Sequence, residues 1–140
     1  MSDVLTQTLE WFQQAVIEPT PRNRQIQVAV HLEEFHEMMT ALNLQTHSQS
    51  VHELSEAIKR DTFQYQSKII DRQELLDSLA DQIVTAVGVA RMFELDIVGA
   101  LKEVNASNYS KFVDGKPLFD ENGKIKKGPN YFKPDLSKFV

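Results

Sequence analysis

Residues 71–93 read DRQELLDSLADQIVTAVGVARMF, and this stretch decides the fold class of the chain. Asp71 is a predicted N-cap with Glu74 at the third helical position, which is the capping-box arrangement, and the helix should run to about Phe93. No charged residue lies between Gln82 and Ala90, so the second half of this helix is apolar on every side. The stretch therefore predicts a long helix that is central to the fold.

The sequence on both sides of this helix also indicates helices. No proline lies between Pro21 and Pro117, and all five glycines lie at or after Gly88. A stretch of about 95 residues without proline, mostly at helical period, is typical of an all-α protein. We predict four further helical segments, namely Asp3–Ile17, Arg22–Leu44, a segment containing Val51, Leu54 and Ile58, and a helix from an Asp96 cap to about Lys111. A polar break at Gln45–Gln49 should separate the second and third segments.

Two of these helices carry apolar stripes at helical spacing. In the first helix the stripe consists of Leu5, Leu9, Phe12 and Val16, and in the second of Val28, Leu32, Phe35, Met39 and Leu42. The pattern predicts a bundle of four to five helices.

After the last predicted helix the helical periodicity ends and turn-forming residues become frequent. Asp114-Gly115 and Asn122-Gly123 are turn dipeptides, and Leu118-Phe119 and Ile125 could flank the second of them as a short hairpin. We therefore divide the chain into a helical domain over 1–112 and an irregular tail of the same domain over 113–140.

Charge is distributed unevenly between the body of the chain and its end. Residues 1–100 carry 7 Lys+Arg and 15 Asp+Glu, a net charge of −8, whereas residues 101–140 carry 8 Lys and 5 Asp+Glu, a net charge of +3. An acidic body argues against nucleic-acid binding, and a basic tail suits a small anion such as phosphate. Simple solubility is the alternative explanation of the lysines.

Composition excludes several other classes of protein. At 140 residues the chain is of single-domain size, and without cysteine it can form no disulfide, zinc ribbon or thiol nucleophile. It has no charged-then-apolar leader and no apolar run approaching about 18 residues, so we expect a cytoplasmic protein with no membrane partner.

Two clusters of carboxylates are the candidate metal ligands. Glu33, Glu34 and Glu37 fall within about a quarter turn of the second helix, and Glu74, Asp77 and Asp81 form a stripe on the helix after Asp71. Neither cluster has a basic residue at i±3 or i±4 where it would be paired, and like charges about 6 Å apart cost roughly 3 kcal/mol per pair at an effective dielectric near 20. Hard oxygen ligands without His or Cys indicate Mg²⁺, with Mn²⁺ as an alternative. The competing interpretation is that both clusters are solvated polar faces.

The four histidines give no comparable signal. His31 and His36, like His47 and His52, are spaced by five, which turns the two members of a pair to different faces of a helix. We interpret them as surface or packing residues.

At the level of motifs the chain resembles a known family, the MazG-like all-α nucleoside triphosphate pyrophosphatases. The run Glu33-Glu34-Phe35-His36-Glu37 is similar to their E-E-x-x-E signature, and Glu74-Leu75-Leu76-Asp77 to their E-x-x-D signature. Residues 103–111 resemble the E-V-x-x-S-N-x-S-K stretch of the small bacterial and phage-type members. The tail fits their D-G-K-P, G-K and K-G-P-N-Y ending, so the resemblance covers roughly residues 20–135.

The resemblance implies an activity and a set of site residues. The reaction would be Mg²⁺-dependent hydrolysis of a (deoxy)nucleoside triphosphate to the monophosphate and pyrophosphate, by a homodimer or homotetramer whose subunits share the site. The implied metal ligands are Glu34, Glu37, Glu74, Asp77 and Asp81, and Glu34 or Glu37 would also activate the attacking water. The implied substrate-binding residues are Asn108, Lys111, Lys127 and Tyr131.

Two features have alternative interpretations, namely the register of the second acidic motif and the activity of the protein. Counting back from Gly88 places the second-motif aspartate at Asp81, with Ser78 where the glutamate would be, whereas the pattern itself pairs Glu74 with Asp77. The family also contains hydrolases of phosphoribosyl-ATP, and a helical dimerisation or binding module without catalysis would use the same bundle.

Overall fold

A computed structural model describes residues 2–60 and 71–140 of the chain, and within them the protein is all-α. The helices are α1 (Val4–Ala15), α2 (Pro21–Ala41), α3 (Gln45–Lys59), α4 (Arg72–Met92) and α5 (Ile97–Tyr109), followed by a short 3₁₀ helix over Ser137–Phe139. The predicted fold class is confirmed at this level. No helix in the described parts of the chain is long and apolar enough to cross a membrane.

Local capping fixes where the helices begin. The Asp71 side chain accepts a hydrogen bond from the backbone N–H of Glu74 at 3.0 Å, and Asp96 accepts one from Gly99 at 2.9 Å. Both predicted N-caps are confirmed. A capping box with both of its bonds occurs at the start of α2, where Thr20 and Asn23 cap each other.

The predicted break at Gln45–Gln49 is wrong, because those residues form the start of α3. The chain turns earlier, at Leu42–Leu44, so α2 also ends before its predicted limit. Asn43 adopts a left-handed backbone conformation with φ 62°, which asparagine tolerates better than most residues. One left-handed asparagine therefore ends the helix in place of a longer polar loop.

The described residues divide into two compact units. The first contains α1, α4, α5 and the 3₁₀ helix, from the described residues of Met1–Ile17, Ile69–Leu118 and Ile125–Val140. The second contains α2 and α3, from the described residues of Glu18–Lys68, together with Phe119–Lys124.

In the second unit, α2 and α3 form an antiparallel helical hairpin. Buried Ser55 donates a hydrogen bond to the carbonyl of Ala29 at 2.7 Å, and Gln25 donates one to the carbonyl of Ile58 at 2.7 Å. Small residues at this contact let the two helices approach closely. The apolar stripe of α2 lies elsewhere, since Val28, Phe35 and Leu42 on it are exposed.

In the first unit, the core lies between α1 and the end of α5. Trp11 and Phe112 stack with their ring centroids 5.5 Å apart, and Ala15 is buried beside them. The apolar stripe of α1 takes part in this core only through Val16, since Leu5 and Leu9 on it are exposed. A stripe shows which residues avoid water but not which neighbouring element covers them.

Apart from Phe119–Lys124, the tail belongs to the first unit, where it runs back along α5. Gly128 N–H donates to the carbonyl of Lys111 at 3.1 Å, and Ser107 donates to the carbonyl of Phe132 at 2.8 Å. Ile125 packs against the core, and the carbonyl of Phe139 accepts from Asp96 N–H at 2.9 Å.

The expected hairpin of the tail is present only as a short paired turn, in which Lys126 N–H donates to the carbonyl of Leu118 at 2.7 Å. Asp120 N–H donates to the carbonyl of Lys124 at 2.8 Å, and Gly123 takes φ +78°, as its place in the Asn-Gly turn requires. Within the described residues no segment forms a strand, and Val113 and Lys116 make an isolated bridge.

Helix α4 is not central within its own unit, so that prediction is wrong there. Ala90 is its buried residue, whereas Val84 is 67% and Met92 80% exposed. Packing against α5 thus leaves much of the apolar surface of α4 exposed.

Candidate functional site

The three glutamates of the α2 motif differ in exposure, since Glu33 is partly buried whereas Glu34 and Glu37 are exposed. Glu33 Oε2 lies 2.9 Å from Lys59 Nζ and 3.6 Å from Lys124 Nζ, and Lys59 also lies 3.0 Å from Glu56. Glu33 thus takes its basic partners from α3 and from the turn around Gly123. Glu33 therefore has a structural role in this unit.

The pKa values of the pair show that it stays ionised. Burial raises the pKa of Glu33, but the hydrogen bond from Lys59 and the charge of Lys124 outweigh it and leave that pKa below its ordinary value. Burial lowers the pKa of Lys59, but its hydrogen bonds to Glu33 and Glu56 outweigh this and raise it. Each charge is stabilised by the opposite one.

Glu34 and Glu37 lie on the same helix, three residues apart, and both are exposed. Residues three apart are neighbours on a helix surface, so the two carboxylates can approach one ligand together. The ion pairs with Lys59 and Lys124 are made by Glu33, and Glu34 and Glu37 remain in contact with solvent.

The second acidic set lies on the other unit. Glu74, Asp77 and Asp81 are all exposed along α4, and the backbone N–H of Glu74 is the group bonded to the Asp71 cap. Glu74 thus sits in the first turn, where the helix dipole favours an anion. The exposure of all three keeps both registers of the second motif available.

The carboxylate oxygens of these clusters suit a Mg²⁺ ion that is shared with substrate phosphates. They do not suit a metal ion that is held by protein ligands alone. Among the described residues no group of three or more His, Asp or Glu side chains is placed to hold a metal ion. Mg²⁺ retains several waters and is commonly held by one or two carboxylates together with substrate phosphates. A pair such as Glu34 and Glu37 meets that requirement.

The predicted substrate-binding residues lie around the end of α5. Lys111 Nζ donates to Asn108 Oδ1 at 2.8 Å, and Lys127 Nζ lies 4.9 Å from the centre of the Tyr131 ring. The bond from Gly128 to the carbonyl of Lys111 holds the tail segment against this helix end. All four residues therefore belong to one region of the first unit.

Sequence reasoning missed three contacts of the second unit. Lys59 and Lys124 carry no signal in the spacing of the motif, since Lys59 lies 26 residues after Glu33. The rings of His36 and His52 also pack together, 4.8 Å apart, with His36 Nδ1 3.0 Å from the carbonyl of Ser48. Spacing within one helix cannot reveal a partner on another.

Comparisons with protein families, with curated proteins and with solved structures found no match.

Proposed function

We propose that the protein is a Mg²⁺-dependent hydrolase that converts nucleoside or deoxynucleoside triphosphates to monophosphates and pyrophosphate. The observation that carries this proposal is the division of the α2 motif, in which lysines neutralise Glu33 while Glu34 and Glu37 stay exposed.

The proposed metal-holding residues are Glu34, Glu37, Glu74, Asp77 and Asp81. Bound Mg²⁺ would neutralise phosphate charge, which is the main requirement of phosphoryl transfer. Whichever of Glu34 and Glu37 does not hold metal orients the attacking water and accepts its proton.

The end of α5 and the tail supply the contacts to the nucleotide. Lys111 and Lys127 donate to phosphate oxygens, Asn108 donates through its amide, and Tyr131 stacks on the base. Lys127 already rests on the Tyr131 ring, so one movement of its ammonium exposes a face for stacking.

In this proposal the enzyme is a cytoplasmic homodimer or homotetramer that maintains the nucleotide pool. The exposed apolar surface of α4 supports association, because apolar patches of this kind mark interaction sites. Such an assembly would also be the basis of the rival hypothesis, a helical binding module without catalysis.

A turnover assay tests the proposal. Wild-type protein is incubated with Mg²⁺ and each common nucleoside and deoxynucleoside triphosphate, and with phosphoribosyl-ATP, and pyrophosphate release is measured. We expect turnover of at least one substrate and a loss of roughly 100-fold or more for Glu37→Gln, with Glu53→Gln on α3 as the control that retains activity. Turnover of phosphoribosyl-ATP alone would favour the rival enzyme.

Binding separates the enzyme from the binding module. The enzyme should gain thermal stability with Mg²⁺ and nucleotide, since ligands that bind only the native state raise the melting temperature. A wild-type protein with no turnover and no such shift would contradict the proposal.

A further inference from the structure

Lys124 is held next to the acidic motif by a tight turn. The Asp120 carboxylate accepts hydrogen bonds from the backbone N–H groups of Asn122 and Lys124, both at 2.9 Å. Asp120 N–H in turn donates to the carbonyl of Lys124 at 2.8 Å. The backbone of Lys124 is therefore fixed, and only its side chain can change partner.

The two lysines beside Glu33 are bound to very different degrees. Lys59 makes close contacts with two carboxylates, at 2.9 and 3.0 Å, and its side chain is 20% exposed. Lys124 has a looser contact with Glu33, at 3.6 Å, and its side chain is 52% exposed. Because Lys59 keeps its close contact with Glu33, Lys124 can leave that carboxylate without leaving it unpaired.

The position of Glu33 on the helix places this lysine close to the exposed part of the motif. Glu37 follows Glu33 by four residues, and residues four apart lie one above the other on the same helix face, about 6 Å apart. An ammonium group bound to Glu33 is thus about one helical turn from the carboxylate of Glu37.

We propose that Lys124 is a phosphate-binding residue that exchanges its loose pairing with Glu33 for a phosphate of the metal-bound nucleotide held at Glu37. This inference rests on the proposed function and adds a residue to its substrate site. The chemistry is a charge-assisted hydrogen bond from an ammonium group to a phosphate oxygen, which is stronger than a long ion pair in water.

Binding of tripolyphosphate in the presence of Mg²⁺ tests the inference without turnover. Calorimetric titration compares the full-length wild-type protein with Lys124→Met and with the control Lys126→Met, which removes an exposed lysine two residues away. We expect Lys124→Met to weaken binding about tenfold, as for the loss of one charge-assisted contact, and Lys126→Met to bind like wild type. Equal binding by wild type and both variants would overturn the inference.

Glu33→Gln distinguishes binding from a structural role. If Lys124 exchanges partners, this variant removes the competing carboxylate, and it should bind Mg²⁺-tripolyphosphate as tightly as wild type or more tightly. If Lys124 serves only to secure the turn on α2, Glu33→Gln and Lys124→Met should weaken binding alike, which overturns the inference. A wild-type protein that neither binds the probe nor hydrolyses a nucleotide would overturn the proposed function as well.

Discussion

At the scale of single residues, Glu33 decides how the α2–α3 hairpin responds to acid. Its pKa is lowered because the Lys59 hydrogen bond and the Lys124 charge outweigh the opposing effect of burial. A carboxylate with a lowered pKa stabilises the folded state fully above its ordinary pKa of 4.5, and this contribution is lost as the pH falls through the lower, folded value.

We therefore predict that Glu33→Gln has a flatter pH dependence of stability than wild type. At neutral pH the variant should lose about 1 kcal/mol in the free energy of unfolding, the upper range for a partly exposed ion pair. The difference should shrink as the pH is lowered below 4.5 and through the lowered pKa of Glu33, where the wild-type carboxylate becomes protonated too. Urea unfolding followed by circular dichroism measures the free energy of unfolding of both proteins from neutral to acidic pH. A difference between them that stays constant as the pH falls would contradict the lowered pKa of Glu33.

The sequence located these carboxylates but not their pairing. Glu33, Glu34 and Glu37 are equivalent in the motif, and only the positions of Lys59 and Lys124 make Glu33 different. A contact between residues far apart in the chain has no signature in local spacing, so this part of the site required the structure.

At the scale of elements, two glycines in the first unit have opposite roles. A Cβ atom on Gly128 would lie 2.7 Å from the carbonyl oxygen of Lys111 and 2.9 Å from a methyl group of Val113. A Cβ atom on Gly88, within α4, would meet nothing within 4 Å. The first glycine allows the tail to approach α5, whereas the second only weakens its helix.

We predict that alanine at these two positions shifts stability in opposite directions. Gly128→Ala should cost about 1–3 kcal/mol, as overpacking does, and Gly88→Ala should stabilise by up to about 1 kcal/mol through helix propensity. Fluorescence of Trp11, the single tryptophan and part of this core, follows unfolding in urea. A destabilised Gly88→Ala protein would show that another surface packs on that side of α4.

Element boundaries were predictable where short-range chemistry sets them. The Asp71 and Asp96 caps each bond within three residues, so the sequence alone locates the starts of α4 and α5. The packed faces were not predictable, because small or polar residues are buried at the contacts, such as Ser55 of α3 against α2 and Asn105 of α5 against α1.

At the scale of the whole molecule, the apolar surface of α4 is the strongest indication of association. The helix carries no charged residue between Gln82 and Ala90, yet Val84 is 67% exposed among the described residues. We predict an oligomer in solution that Val84→Glu dissociates, since burying an unpaired charge at an interface is costly. Light scattering measures the molar mass of the wild type and of Val84→Glu in solution. The control is Gln73→Glu, near the start of the same helix, and a monomeric wild type would contradict the prediction.

The tail is also a whole-molecule feature that sequence reasoning placed only in part. The turns and lysines of the tail could be predicted from the sequence. Its return along α5 could not, because it depends on hydrogen bonds between distant residues, such as that from Ser107 to the carbonyl of Phe132. Deleting 113–140 would remove Ile125 from the core of the first unit, so substitutions are the cleaner probes of its lysines.

Product identification by phosphorus NMR tests the central claim most directly. Wild-type protein is incubated with Mg²⁺ and the triphosphate that it turns over fastest, and the phosphorus signals are followed with time. We predict that monophosphate and pyrophosphate appear together in equal amounts, with Glu37→Gln giving no products on the same time scale. Formation of a diphosphate and inorganic phosphate, or no reaction with any triphosphate, would contradict it.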